Sequence, residues 1–480
     1  MCEEFESLII KYLRDASIYT EDECVWEIIE KEPFGRCLIA KRDIQANELI
    51  LYDKPLLIGP RVNNYDKIFC VCCYKILTKL TLCTAKCKFP ICHDCASSKQ
   101  HKKECELIKS WGLKDEPRYS KHLFRALTVI RGLLLSKDDT KLMFMMASHE
   151  NSSQQNLEVE KIINEFESLT ADCVTIRTLK KISSVLNTNA FEVGIAFNDS
   201  GPEHNISLRG LYPLAAVMNH NCVPNIRYAY EKNSIMAVRA SKFIPKGEQI
   251  FNSYTKFLWG TQQRRVHLAY SKNFLCECQR CLDPTELGSY IAALKCIRPG
   301  CKSVMLPNDP LVVTSMWECR ECNLKLDHAR ISKISDIFSK QIFQKILNEP
   351  ISAINHYLKE KLSNILPSSN QFTIEVKLQI ILRMKQDPNY VMTLEDYEDV
   401  ERYCNDVLFI IDRLAVGECY VKGLLYHELL TAKMKLVELR NQGFDNDTRK
   451  YFAEMLQKCW LILGNTTKEP KDLKSLIKNF

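Results

Sequence analysis

Apolar side chains along the chain fall into three regimes. At 3–14, Phe5, Leu8, Ile9, Tyr12 and Leu13 recur at helical spacing and predict an amphipathic leading helix. Between 25 and 60 the period changes: the short runs CLIA and ELILY, separated by KRDIQAN, have the length and composition of strands. From 107 to about 190 the helical period returns in LFRALTVIRGLLL, VEKIINEFESL and VTIRTLKKISSVL. Polar HENSSQQN (149–156) interrupts it and predicts an exposed loop. Short strand-like pieces punctuated by Gly and Pro occupy 191–255. From 331 onward Ile334, Ile337, Phe338, Ile342, Phe343 and Ile346 open a run of helices, and Gly443 and Gly464 stand where helices stop. The last 150 residues read as an antiparallel helical array without a sharp repeat.

Two stretches, 66–105 and 256–330, fit none of these regimes because they are dense in cysteine. The first is too poor in large apolar groups to fold unaided. A chain of 480 residues exceeds one ordinary core, so two to four domains are expected. Hydrophobic residues make up 46% and charged residues 26%, an ordinary globular balance. No run approaches the roughly 18 apolar residues of a membrane helix. The N-terminal MCEEFESLIIKYLRD has acids where a secretory signal has bases, so a cytoplasmic or nuclear protein is expected. In a reducing compartment 23 cysteines point to metal-bound thiolates or buried thiols rather than disulfides. The net charge of +7 is mild, and nine lysines against four acids at 66–109 place part of it locally. No basic helix or base-reading motif appears, so sequence-specific nucleic-acid binding is not expected, and neither is a membrane.

Zinc takes four ligands in a tetrahedron, and ligand pairs two to four residues apart let one turn supply two. The first cluster offers Cys70 with Cys73, Cys83 with Cys87, Cys92 with Cys95, and His101 with Cys105, enough for two ions. Cys72 adjoins Cys73, so either thiol is a candidate second ligand, with the regular spacing favouring Cys73. Cys276, Cys278 and Cys281 supply three ligands and need a fourth from elsewhere. Cys296, Cys301, Cys319 and Cys322 have a zinc-ribbon spacing that closes one site alone. These sets, without that fourth ligand, use fourteen of the 23 cysteines.

The segment LRGLYPLAAVMNHNCVPN at 208–225 closely resembles the SET-domain signature NHxCxPN with its preceding GLYP. GEQIFNSY (247–254) resembles the strand that ends in the SET catalytic tyrosine, and PFGRCLIAKRDIQANELI resembles the first SET strands. The eight-ligand cluster between these halves resembles a MYND zinc finger, and CECQRC resembles the post-SET zinc motif. The chain thus resembles the SET and MYND protein-lysine methyltransferases, most of all their arthropod-specific branch, over roughly 25–325. The resemblance implies an α+β protein: a β-rich, pseudoknotted split SET domain with inserted MYND finger, a post-SET zinc loop, a zinc ribbon and an all-α C-terminal array. The expected boundaries are an N-terminal helix at 1–22, SET N-terminal part at 23–64, MYND finger at 65–106, helical insert at 107–190, SET core at 191–255, post-SET at 256–284, ribbon-like segment at 285–330 and helical domain at 331–480.

The same resemblance implies S-adenosylmethionine as cofactor and about four zinc ions. In the MYND family two ions are cross-braced, which implies one on Cys70, Cys73, Cys92 and Cys95 and another on Cys83, Cys87, His101 and Cys105. Cys222 is implied as the fourth post-SET ligand. Gly35, Arg36 and Cys37 would approach the cofactor with their backbone, Asn189, Asn219 and His220 would contact it, and Phe274 would pack on its adenine. Tyr254 would be the catalytic tyrosine. Two positions depart from the family pattern: Cys37 replaces a glycine, and Lys272 stands where an aromatic lines the lysine channel. The implied partner is a lysine-bearing protein, with histones and, at the MYND finger, proline-rich peptides as candidates. The alternative expectation is a catalytically inactive scaffold or transcriptional regulator of the same architecture.

Overall fold

The computed structural model describes residues 2–60, 68–85, 87–112, 121–149, 153–166, 168–169, 172–195, 206–386, 390–441, 443, 445–464, 466 and 469–478. Helix α1 (Cys2–Asp15) buries Phe5, Ile9 and Leu13, one side chain per turn, and carries acids in its first turn and Arg14 in its last, complementing the helix dipole. β1 (Trp26–Lys31) and β2 (Gly35–Ala40) form an antiparallel hairpin from Trp26↔Ala40 to Lys31↔Gly35. β3 (Leu49–Asp53) and β4 (Leu57–Pro60) follow. The strand runs read from the sequence are parts of β2 and β3; β1 and β4 are additional.

The cysteine-rich segment has little regular structure before α2 (Lys99–Ser110), whose cap residue Ser98 accepts from His101 N. Four helices follow: α3 (Lys121–Gly132), α4 (Lys137–Met145), α5 (Ser153–Asn164) and α6 (Cys173–Asn189). The loop expected at 149–156 is corrected here, because Ser153–Asn156 belong to the first turn of α5. A polar first turn is compatible with a helix whose buried residues, Val159 and Ile162, come later. Residues 113–120 and 150–152, and the side chain of Phe343, lie outside the described residues, and the readings made for them stay with the sequence.

β5 (Phe191–Ile195), β6 (Ile206–Leu211), β7 (Ile226–Tyr230) and β8 (Met236–Ala240) complete two three-stranded sheets of order β4-β6-β5 and β3-β8-β7. The segment 248–254 is wedged between two parts of this core. On one side Ala40 N donates to Glu248 O (3.0 Å) and Ile250 N to Leu38 O (2.8 Å). On the other, Asn252 N donates to Asn219 O and Asn221 N to Asn252 O, both at 2.9 Å. Four backbone hydrogen bonds thus fix NHNC, β2 and the strand leading to Tyr254 in one register.

Beyond this core come α7 (Thr261–Lys272), α8 (Gln279–Leu282) and a ribbon of β9 (Leu294–Lys295), β10 (Val304–Pro307), β11 (Trp317–Cys319) and β12 (Lys325–Leu326), ordered β12-β11-β10-β9. The rest is helical: α9 (His328–Lys340), α10 (Ile351–Tyr357), α11 (Ser363–Ile365), α12 (Gln371–Gln386), α13 (Leu394–Arg413), α14 (Tyr420–Leu439), α15 (Asn446–Leu463) and α16 (Leu473–Lys478). Thr393 and Asp396 close a capping box on α13, and Gly464 caps α15. The loop after α13 docks on the SET core. Gly417 has φ 72°, and a Cβ there would lie 2.3 Å from Ser241 O, so only glycine permits this approach. No helix among the described residues is long and apolar enough to cross a membrane.

Candidate active site and zinc centres

The site is built on the turn that precedes NHNC. Asp53, at the end of β3, is fully buried, and its carboxylate accepts from Leu214 N (2.9 Å) and Ala215 N (2.8 Å). Burial pushes its pKa up to about 7 against the pull of these bonds. The turn it holds delivers Met218, Asn219 and His220 to the wedged strand. The Tyr254 hydroxyl donates to Met218 O at 2.8 Å, and Tyr254 N donates to His220 Nδ1 at 2.9 Å. Because Nδ1 accepts, the neutral ring carries its proton on Nε2, which faces Cys222 Sγ at 3.3 Å. Burial raises the Tyr254 hydroxyl above its ordinary value, so it remains a protonated donor at neutral pH.

Asn219 Nδ2 reaches Arg36 O (3.1 Å), Cys37 Sγ (3.2 Å) and Gln249 Oε1 (3.3 Å), tying NHNC to the β1–β2 hairpin. Gly35 has φ 68° and nothing within 4 Å of where a Cβ would stand, so the turn faces open space. The Arg36 guanidinium points the other way, 3.9 Å over the Phe5 ring and bonded to Met145 O at 2.6 Å. Its backbone, not its side chain, faces Asn219. Cys37 pairs with Ile29 in regular β structure with its thiol buried, so this position needs no glycine. Phe274 is 38% exposed, its ring 5.9 Å from that of His220. Asn189, the last residue of α6, donates to Ala147 O (2.7 Å) and Val185 O (2.8 Å).

Lys272 ends α7 because Asn273 turns left-handed, with φ 58°. Its side chain folds inward, lies with Nζ 5.3 Å from the centre of the Tyr254 ring, and donates to Thr188 O at 2.6 Å. Burial pushes its pKa down to about 8.

Four groups of thiols and one imidazole converge: Cys70, Cys73, Cys92 and Cys95; Cys83, Cys87, His101 and Cys105; Cys222, Cys276, Cys278 and Cys281; Cys296, Cys301, Cys319 and Cys322. Ligand atoms within each group lie within 4.8 Å of one another. Zinc–sulfur bonds of about 2.3 Å in a tetrahedron imply sulfur pairs about 3.8 Å apart. Cys73–Cys92 (3.7 Å), Cys222–Cys276 (3.8 Å), Cys222–Cys281 (3.5 Å) and Cys301–Cys319 (3.7 Å) match that edge. Cys73 rather than Cys72 stands in the first group; Cys72 Sγ lies 3.5 Å from Ser98 Oγ.

The sequence carried no signal for the arginines around the third group. Arg264 Nε lies 3.2 Å from Cys222 Sγ and its Nη2 3.4 Å from Cys281 Sγ. Arg280 donates to Cys222 O (3.2 Å), Phe257 O (2.7 Å) and Trp259 O (3.0 Å). Glu286, also buried, receives both: Arg264 at 2.6 Å and Arg280 Nε at 3.0 Å. Four thiolates around a divalent ion leave two negative charges, and two guanidiniums offset by one carboxylate leave one positive charge beside them. That compensation lets the cluster sit in the interior.

Residues 35–255 match the family model of the SET domain. The SET domain-containing protein SmydA-8, isoform A, of Drosophila melanogaster is 34% identical over 433 residues, covering 89% of this chain and 92% of that relative. The chain belongs to the SET and MYND family. The histone-lysine N-methyltransferase ASHR1 of Arabidopsis thaliana is 25% identical over 86% of this chain and 88% of its own length. The N-lysine methyltransferase SMYD2 of Rattus norvegicus is 26% identical over 52% of this chain and 58% of its own length. In this SET and MYND protein the matched span runs from the positive-φ glycine of the β1–β2 turn to one residue past Tyr254. It therefore encloses Met218, Asn219 and His220 as well as the first two zinc-type groups.

Proposed function

We propose that this SET and MYND protein is an S-adenosylmethionine-dependent protein-lysine N-methyltransferase with its transfer point at the Tyr254 hydroxyl. The convergence of Met218, Asn219, His220 and Tyr254 on one bonded register carries the reading. The cofactor supplies a methyl group on a sulfonium for in-line displacement by a neutral amine. The Gly35–Cys37 backbone, Asn189, Asn219, His220 and Phe274 would hold it. The open face at Gly35 and the half-exposed Phe274 ring beside His220 suit a nucleoside with an amino-acid tail. Tyr254 would be the catalytic residue: its hydroxyl is oriented by Met218 O and stays protonated, a fixed dipole beside the reacting atoms.

Four zinc ions would sit on the four groups, the third clamping the post-SET loop that follows Lys272, which lies over Tyr254, and Phe274, which lies beside His220. The acceptor is a lysine on a protein. Histones are the finer proposal, supported by the name of the plant relative, with proline-rich peptides at the MYND-type segment and a nuclear or cytoplasmic setting. Calorimetry with S-adenosylhomocysteine tests the reading. The zinc-loaded protein binds it, and Asn219→Ala weakens binding at least tenfold, because a buried polar partner is lost. Folded wild type that does not bind overturns the proposal.

A further inference from the structure

Lys272 is the one lysine among the described residues whose amine lies over the Tyr254 ring, and the chain builds it there deliberately. Asn273 stops α7 at Lys272, and the zinc-type loop begins four residues later at Cys276. The side chain is thereby pinned between the end of α6 and the face of Tyr254. Its ammonium has one neutral acceptor, Thr188 O at 2.6 Å. Burial alone accounts for its lowered pKa, with no carboxylate contributing. A partly buried lysine held in place is ordinarily paired with an acid, as the more deeply buried Lys377 is with Asp406 at 2.6 Å. Lys272 instead has the environment a substrate lysine needs: an aromatic wall, partial burial without a carboxylate and a weakened hold on its proton.

We propose that Lys272 is itself a methyl acceptor of this site, modified in cis by the chain that carries it. The inference rests on the methyltransferase reading. Release of the Thr188 bond and rotation about the lysine's own side-chain bonds carry the amine along the ring toward the Tyr254 hydroxyl. The deprotonated amine then displaces the methyl group of S-adenosylmethionine. A nitrogen–carbon bond forms as the carbon–sulfur bond breaks, the sulfur keeps the bonding pair to leave as the thioether of S-adenosylhomocysteine, and the proton goes to water. With a pKa of about 8, roughly a tenth of Lys272 is neutral at pH 7, against about one part in 2,500 for a lysine in water. Trimethylation would leave no N–H for Thr188 O, so the modification also removes the bond that holds the side chain in place.

The test incubates the full-length, zinc-loaded protein with methyl-labelled S-adenosylmethionine and no other protein, then maps the label by peptide mass spectrometry. Label is expected at Lys272, at a rate per chain independent of protein concentration over a hundredfold range, and reduced at least tenfold in Tyr254→Phe. A second readout needs no cofactor: acylation of Lys272 by a dilute anhydride follows the neutral amine and should rise with a midpoint near pH 8 rather than above 10. Unlabelled Lys272 in a protein that binds S-adenosylhomocysteine overturns the inference and leaves the methyltransferase reading standing. Absence of cofactor binding overturns both. A labelling rate that climbs with protein concentration shows transfer between chains and contradicts an acceptor in cis, and an acylation midpoint above 10 contradicts the weakened hold on the proton.

Discussion

Glu286→Gln isolates the charge balance under the post-SET zinc-type group. The substitution keeps the volume and leaves a carbonyl oxygen to accept from Thr261 N, a bond of 2.8 Å in the wild type. It removes the charge shared by Arg264 and Arg280, whose side chains are fully buried, and turns a hydrogen-bond donor toward both of them, since both bond the oxygen that becomes the amide nitrogen. Breaking a buried ion pair by removing one partner costs about 3–5 kcal/mol. Here the thiolates remain as counter-charge to both guanidiniums, and the cost lies in the ion-pair contacts of Arg264 and Arg280 to Glu286 that the amide cannot replace. At 2–4 °C per kcal/mol for a unit of this size, the melting transition should fall by about 10 °C. Differential scanning calorimetry measures that shift, and a chromophoric chelator measures zinc release at fixed competitor. One zinc per chain should leave at lower chelator concentration than in the wild type. Glu395→Gln, which breaks the exposed pair with Lys359, is the control and should cost under about 1 kcal/mol. A Glu286→Gln protein that melts within a degree of wild type and keeps its zinc shows that Glu286 does not hold the two arginines under the zinc-type group.

Metal analysis of undamaged protein should give four zinc ions per chain, and chelation should unfold the cysteine-rich segments; two ions or fewer contradict the later groups. Asp53 holds a proton in the folded chain up to about pH 7 and releases it near 3.8 when unfolded, so the native state binds more protons between those values and stability falls as pH rises through them. Asp53→Asn, which keeps an acceptor for Leu214 N and Ala215 N, should gain on wild type by about 2.6 kcal/mol between pH 5 and pH 8 in denaturant titrations; a gap that does not change with pH counts against this. Lys272→Tyr should raise methyl transfer to protein lysines by up to about a thousandfold while leaving S-adenosylhomocysteine affinity unchanged, because two charges about 4 Å apart repel by roughly 4 kcal/mol at an effective dielectric near 20. Unaltered transfer rates would remove Lys272 from the acceptor's path.

What the sequence disclosed about the site follows from how local each feature is. Zinc-type pairs such as Cys92 and Cys95 are visible because one turn supplies both ligands, and NHNC and NSY are contiguous strings. That the thiols of Cys222 and Cys276 meet across 54 residues came from family resemblance, since spacing carries no such information. Glu286 carries no sequence signal, and its role exists only because α7 and α8 turn Arg264 and Arg280 onto it. Lys272 was visible as a departure from pattern, yet its bond to Thr188 spans 84 residues and depends on the left-handed turn at Asn273. At Cys37 the sequence raised a conformational question that the strand answers, because the positive φ falls at Gly35 alone of the three hairpin residues. The start of α5 was misjudged since a polar first turn and a polar loop have the same composition.

Tyr254 stands at the point of methyl transfer to lysine in the proposed reaction. The direct measurement is transfer of a labelled methyl group from S-adenosylmethionine to lysines of a protein panel that includes histones, by wild type and by Tyr254→Phe. The Tyr254 hydroxyl bond to Met218 O is the one bonded group the variant removes. Lysine-borne label with wild type, at least a hundredfold slower with Tyr254→Phe at unchanged S-adenosylhomocysteine affinity, is the predicted result. Equal rates for the two proteins, or no label on any protein lysine from a wild type that binds cofactor, would contradict it.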